Sequence, residues 1–166
     1  MFLLSSLLLL NAQAAEPVFV APFNSVDNES IELADNLANV ILDTLDRNAA
    51  ITGFAVDDMK PIHDIPANEY MRACLTDEFV GCAFVVGKAA DMTYSITGRV
   101  SSLERGSEVD VRIIEIATAR EVFQVTMQVM PNGEDLFAET ISETLSGVID
   151  GSIGQEVDLR EEDSEE

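Results

Sequence analysis

His63 is the one histidine of the chain and stands between Pro61 and Pro66, a spacing that predicts a loop. Catalysis through it would need a nucleophile and an orienting acid brought close in space, and no G-x-S-x-G or comparable element supplies one. It reads as a surface-loop histidine. Asp57, Asp58 and Asp64 flank the same loop and could attract a cation. Calcium loops, however, require dense oxygen ligands at set spacing with a glycine turn, and neither is present, so no metal is expected. No G-x-G-x-x-G or Walker element is found either, and no cofactor is expected. Asp57, Asp58, His63 and Asp64 are therefore read together as a candidate partner-contact loop, within the longer stretch 57–68.

Cys74 and Cys82, the only two cysteines, lie eight apart. An even count in an oxidising compartment reads as a disulfide. The loop it closes is short, so its effect on the unfolded chain is about 2–3 kcal/mol and local. The alternative, a metal or redox pair, lacks both the C-x-x-C spacing and a nearby third ligand. An oxidising compartment is itself expected from the N-terminus. The apolar run Met1–Leu10 is of signal-peptide length, and Ala12-Gln13-Ala14 places small residues where signal peptidase needs them, so residues 1–14 read as a signal peptide. No Lys or Arg precedes the run, and a membrane anchor is the competing reading. No cysteine stands at the cleavage site to carry a lipid. The remaining chain of about 152 residues suits one domain. It has no further run approaching the ~18 apolar residues of a membrane span. A periplasmic, possibly secreted, protein is expected.

Charge narrows the partners. The chain has 31 acidic against 9 basic residues, a formal net charge of −22, with 47% hydrophobic residues. That composition is globular. Nucleic acid is excluded as a partner, because its binding depends on neutralising phosphates with Lys and Arg. The acids lie on nearly every polar face. They serve either as a binding surface for a basic partner or as general solubility, including in a salty habitat. Residues 152–166 carry Glu156, Asp158, Glu161, Glu162, Asp163, Glu165 and Glu166 against one Arg160, and read as an acidic disordered tail.

The elements that must position these residues follow from periodicity. Val18–Phe23 is a continuous apolar run, as in a strand buried on both faces. A helix over 28–48 follows, capped by Asp27 or Asn28, with Ile31, Ala34, Leu37, Ala38, Ile41 and Leu45 as its stripe. Ile51–Val56 reads as a second strand. A helix starting at Pro66 and another over 81–90, with Cys82, Val85, Val86 and Ala89 on one side, come next. Three stretches then alternate with period two, around 92–100, 109–113 and 123–129, joined by the short connections 104–107 and 117–120. Asn132 caps a last helix with Phe137, Ile141, Leu145 and Val148 in line, and Gly151 ends it. Gly98, inside a strand, signals a bulge or a close backbone approach. The order is β-α-β-α-α-β-β-β-α. It implies an α/β (mixed α+β) domain over 16–151, with a five-stranded mixed sheet, parallel N-terminal strands, an antiparallel C-terminal meander and covering helices.

Several of these pieces resemble a known group. They are Val18–Phe23 before a helix carrying Leu33-Ala34-Asp35-Asn36-Leu37, then Cys74 and Cys82 before Val86-Gly87-Lys88-Ala89-Ala90-Asp91, and after them Tyr94–Val100 and Val111–Thr118. The pattern is similar to exported bacterial domains of the TolB N-terminal-like or CsgG-like fold, closest to those of deltaproteobacterial envelope proteins. The resemblance spans about residues 17–150 and rests on structural motifs. It implies an envelope assembly or binding module, as in the Tol system, curli secretion, flagellar accessory lipoproteins and activators of peptidoglycan synthases. It implies no catalytic residues. The expected function is a non-enzymatic periplasmic module contacting another envelope protein; the alternative is a small-ligand or peptidoglycan-binding sensor.

Overall fold

The computed structural model describes residues 14–55, 58 and 79–153. Asp57, His63, Asp64 and Cys74, the helix expected from Pro66, residues 1–13 and residues 154–166 lie outside them.

Among the described residues, six strands and three helices follow in the order β1 (Glu16–Val20), β2 (Asn24–Ser25), α1 (Ile31–Leu45), β3 (Ile51–Phe54), α2 (Phe79–Ala89), β4 (Tyr94–Ser102), β5 (Ser107–Glu115), β6 (Arg120–Val129) and α3 (Glu134–Ile149). They build one mixed sheet of order β3-β1-β4-β5-β6, with β2 beside β4. β1 is parallel to both β3 and β4, and β4-β5-β6 is the antiparallel meander. The apolar run therefore marked a central strand correctly: Val18, Phe19 and Val20 are all buried. β2 is an addition to the five expected strands. Two residues carry no period, so only the pairing of Asn24 and Ser25 with Arg99 and Val100 reveals it.

Each face of the sheet has its own cover. On one, α1 and α3 pack Leu37, Ile41, Leu45, Phe137, Ile141 and Leu145 against Val18, Val20, Ile96, Val111 and Ile113. Truncating any of these large buried side chains to alanine costs about 2–5 kcal/mol. On the other, the shorter α2 packs Ala83 and Val86 against Phe19, Ala21 and Ile114. α2 turns slightly from the expected face. Ala83, Val86 and Gly87 are buried, Cys82 and Val85 are half-buried, and Ala89 is exposed. The reason is contact: the Ser95 hydroxyl donates to the Ala83 carbonyl at 3.0 Å, and a Cβ on Gly87 would come within 2.2 Å of that hydroxyl oxygen. The smallest residue, and not the most apolar one, decides which side of α2 meets the sheet.

The ends of α1 and the start of α3 differ from the periodic reading. α1 is shorter at both ends, and Ile31 is 44% exposed because it precedes the stripe that meets the core. Ser30 is the N-cap residue, while the Asp27 carboxylate accepts from the Ser30 amide just outside the helix. Asn132 does not cap α3. It takes φ 61°, a left-handed value that Asn tolerates, and the Gly133 amide donates to the Met130 carbonyl to close the turn, leaving Gly133 as N-cap. Gly151, at φ +77°, does end that helix region.

β4 departs most from expectation. Its alternation predicts one wet face, yet Ser95 and Thr97 are as buried as Ile96. Gly98 is the close approach, not a bulge: a Cβ there would lie 2.1 Å from the Phe23 ring, which packs edge-on against Phe137. The same Cβ would sit 2.9 Å from the Asp110 carbonyl oxygen. Replacing Gly98 by Ala is expected to destabilise by about 1–3 kcal/mol in urea unfolding. Phe23→Leu in the same chain should recover part of that loss, giving a non-additive double-mutant cycle. Full additivity would remove the ring as the cause.

Candidate binding surface

At the end of the sheet where β4 finishes, three short segments meet: the β2–α1 connection, the β4–β5 hairpin and the β6–α3 turn. Asp27 ties the first two together. One carboxylate oxygen accepts from the Ser30 amide at 2.8 Å and the Ser102 hydroxyl at 2.7 Å, and the other accepts from the Ser102 amide at 2.8 Å. Ser30 completes the junction by donating its hydroxyl to the Val100 carbonyl at 3.1 Å. The Ser102 donors, followed by those of Ser30, hold the Asp27 carboxyl down to about 2 from its usual 3.8, against a smaller opposing effect of desolvation.

Beside this junction lies a cleft of about 730 Å3 between the start of α1 and the β6–α3 turn. Glu29, Glu32, Asp35 and Glu134 bring four carboxylates to it, Asn36 and Asn39 bring amides, and Leu33, Val129 and Met130 supply apolar surface. None of its described lining residues is basic. Met130 is 51% exposed. α1 and α3 run parallel, so both N-termini open on this cleft, while their other ends meet where the Asn48 amide donates to Ser146 at 2.9 Å. Glu32 and Glu134 stand in the first turns and offset the positive helix ends, each by about 0.3–1 kcal/mol. Glu29 and Asp35 stand outside those first turns.

The second sheet face beyond α2 is polar. Arg112 forms ion pairs with Asp110 at 3.2 Å and Glu121 at 3.1 Å. In register, Thr97, Arg112 and Gln124 form one row across β4, β5 and β6. Every buried polar residue among those described carries a hydroxyl: Ser30, Thr44, Ser95, Thr97 and Ser142. Ser30, Thr44 and Ser95 donate to backbone carbonyls. Burial, with the charges of Glu115 and Glu16 adding to it, pushes the Tyr94 phenol above its ordinary value, and among the described residues no group of three or more His, Cys, Asp or Glu is placed to hold a metal ion.

Of the loop residues singled out from sequence, only Asp58 is described. It is exposed, and its carboxylate accepts from the Ala55 amide at 3.0 Å, a local turn. Cys82 sits half-buried on α2. The cleft was not anticipated. Its acids carried a signal only as helix-end charges, and nothing in sequence spacing brings residues 29–39 to residues 129–134.

No protein-family model matches the chain, and no curated protein matches it. Among solved structures it is similar to TolB from Acinetobacter baumannii, with TM-score 0.56 and 18% identity over 84% of this chain and 30% of that one. It is also similar to a PelC dodecamer subunit from Paraburkholderia phytofirmans (TM-score 0.49, 13% identity, 80% and 87% of the two chains). The C-terminal domain of LpoB from Salmonella enterica matches at TM-score 0.46 and 11% identity over 73% and 87%. The chain spans under a third of the TolB it matches. The likeness to TolB shows a shared fold.

The Asp27 junction has a pH signature. Its folded pKa lies below the ordinary value, so the ionised form stabilises the fold above about pH 4, and this contribution is lost as pH falls towards 2. Asp27→Asn should lower the urea midpoint at pH 7, and the gap to the parent protein should narrow steadily between pH 4 and pH 2. A gap independent of pH would show that the carboxylate charge is not what the junction uses.

Proposed function

We propose that this protein is a non-enzymatic binding or assembly module of the bacterial envelope, exported by residues 1–14, that contacts another envelope protein through its cleft end. The observation that carries the reading is the cleft itself. An exposed methionine and a leucine lie among four carboxylates with no basic residue among the described lining, a combination suited to an apolar-and-basic protein surface. The rigid Asp27 junction holds the surrounding loops, so the surface is preorganised. No described helix is long and apolar enough to cross a membrane. The fold shared with TolB supports the envelope setting.

The domain takes in residues 16–151. The pairing of Cys74 with Cys82 is part of the proposal, as are partner contacts by the 57–68 loop and by the acidic tail. Thiol labelling of the exported protein should fail before reduction and modify both cysteines after it; labelling of unreduced protein would remove the disulfide.

A photo-crosslinking residue at Asn36, facing the cleft, should capture an envelope protein in the producing cells. The same residue at Asp46, at the far end of α1, should not. Met130→Glu should reduce capture by about tenfold, the loss of one apolar anchor of about 1.4 kcal/mol. Equal capture from both positions would remove the cleft from the argument. Deleting residues 154–166 should weaken capture if the tail takes part.

The cleft's size, with the Asn36 and Asn39 amides beside carboxylates, favours one further reading, a small-ligand or peptidoglycan sensor. Retention of the protein on purified sacculi, lost on Asn36→Ala, would establish it. Sacculi that retain nothing would dismiss it.

A further inference from the structure

The two edges of the sheet are built differently. β3 has four residues, one of them Gly53, and offers little to pair with. β6 has ten. Its direction of hydrogen bonding follows from the register. The Ile116 amide donates to the Thr93 carbonyl and the Leu103 amide to the Gly106 carbonyl, which fixes even-numbered β5 residues as facing β4. Odd-numbered β5 residues then pair with Phe123, Val125, Met127 and Val129. The backbone groups of Gln124, Thr126 and Gln128 therefore point outward, three amides and three carbonyls, and no backbone partner among the described residues meets them.

Edges of this length are ordinarily blunted by lysine, proline, inward charge or a bulge. Here the only charges are Arg120 and Glu121 in the first two positions, and the one register shift lies opposite that same end, between Ile113 and Ile114. The eight residues Val122–Val129 are uncharged, with no proline or glycine. Val125 and Met127 remain only half-buried at the rim of the helix-covered core, where one more strand would finish covering them. The edge runs directly into Met130 and the cleft.

We propose that β6 receives an added strand: an extended segment of six to eight residues, alternating apolar and basic, from the envelope partner. This rests on the binding reading above and specifies its recognition mode. The apolar positions continue the row of Val125 and Met127, and the basic positions lie beside Gln124, Thr126 and Gln128. Charge selects the occupant, since a chain of net −22 attracts a cationic strand and repels a second copy of itself.

The test uses the full chain with an acetylated, amidated eight-residue peptide of alternating valine and lysine, and its valine–glutamate counterpart as control. NMR amide exchange should slow at Gln124, Thr126 and Gln128 by about tenfold or more with the lysine peptide at low salt, the signature of newly paired amides. Phe123, Val125 and Met127 should change little, and the glutamate peptide should do nothing. Thr126→Pro removes an outward donor without breaking a bond to β5 and should abolish the effect. Thr126→Lys, which leaves the backbone intact, should weaken it if the proline variant does not fold. Unchanged exchange at the three amides, equal protection by the glutamate peptide, or undiminished binding by both folded variants would overturn the proposal. So would protection that rises with protein concentration alone, which would make the occupant a second copy. Crosslinking at Asn36 separates the two levels. A partner captured equally by Thr126→Pro leaves the binding reading standing without the edge, and no partner for either protein removes the binding reading itself.

Discussion

The fold depends on burying both faces of β4 with a sequence that alternates apolar and polar. Tyr94, Ile96 and Val100 enter the core under α1 and α3, and Gly98 leaves room there for the Phe23 ring. On the reverse face the strand offers Ser95 and Thr97, two small hydroxyl residues, both buried. A large apolar residue at 95 would hold α2 away from the sheet. Serine instead lets the helix backbone come close enough to accept its hydroxyl at Ala83, and Gly87 accommodates the contact. The second layer of the molecule is set by small size and one hydrogen bond, where the first is set by apolar volume.

The same division explains what could be read in advance. Elements whose signal is apolar volume at a fixed period were legible: β1 as a central strand, the stripe of α1 from Ala34 to Leu45, the meander and the line Phe137–Ile141–Leu145. β2 was not, because its existence depends on a partner strand and not on its own two residues. The orientation of α2 was missed because Ala83 and Gly87 carry no hydrophobic weight, and the true cap of α3 was missed because a left-handed Asn132 looks, in sequence, like a capping asparagine. Gly98 was legible as an anomaly; its cause, the Phe23 ring, was 75 residues away. The candidate surface was the least legible part. It joins three segments distant in sequence, each of which carries a sufficient local explanation as a cap, a hairpin or a turn.

The polar chemistry is separated by depth. Among the described residues the buried polar side chains carry hydroxyls, and those of Ser30, Thr44 and Ser95 satisfy backbone carbonyls, while carboxylates stay where water or backbone amides solvate them. Asp27 illustrates the limit. It leaves full solvation only because three donors from Ser30 and Ser102 replace it, and they keep it ionised far below ordinary acid pH. Among the described residues no charged residue is buried, and the excess charge of a chain of net −22 acts outward on whatever approaches.

Where that outward field acts is decided by the parallel packing of α1 and α3. An antiparallel pair would place one positive helix end at each end of the sheet. Here both lie at the same end, so Glu32 and Glu134 gather there to offset them, and Glu29 and Asp35 add charge that the first turns do not hold. The last residues of β6 arrive at the same place. Acidic charge, an exposed methionine and the end of an unblunted strand coincide because the meander must finish beside the start of the helix that follows it. The candidate surface is thus a consequence of chain order: the connectivity that closes the core also delivers to one end of the sheet the groups that a partner would touch.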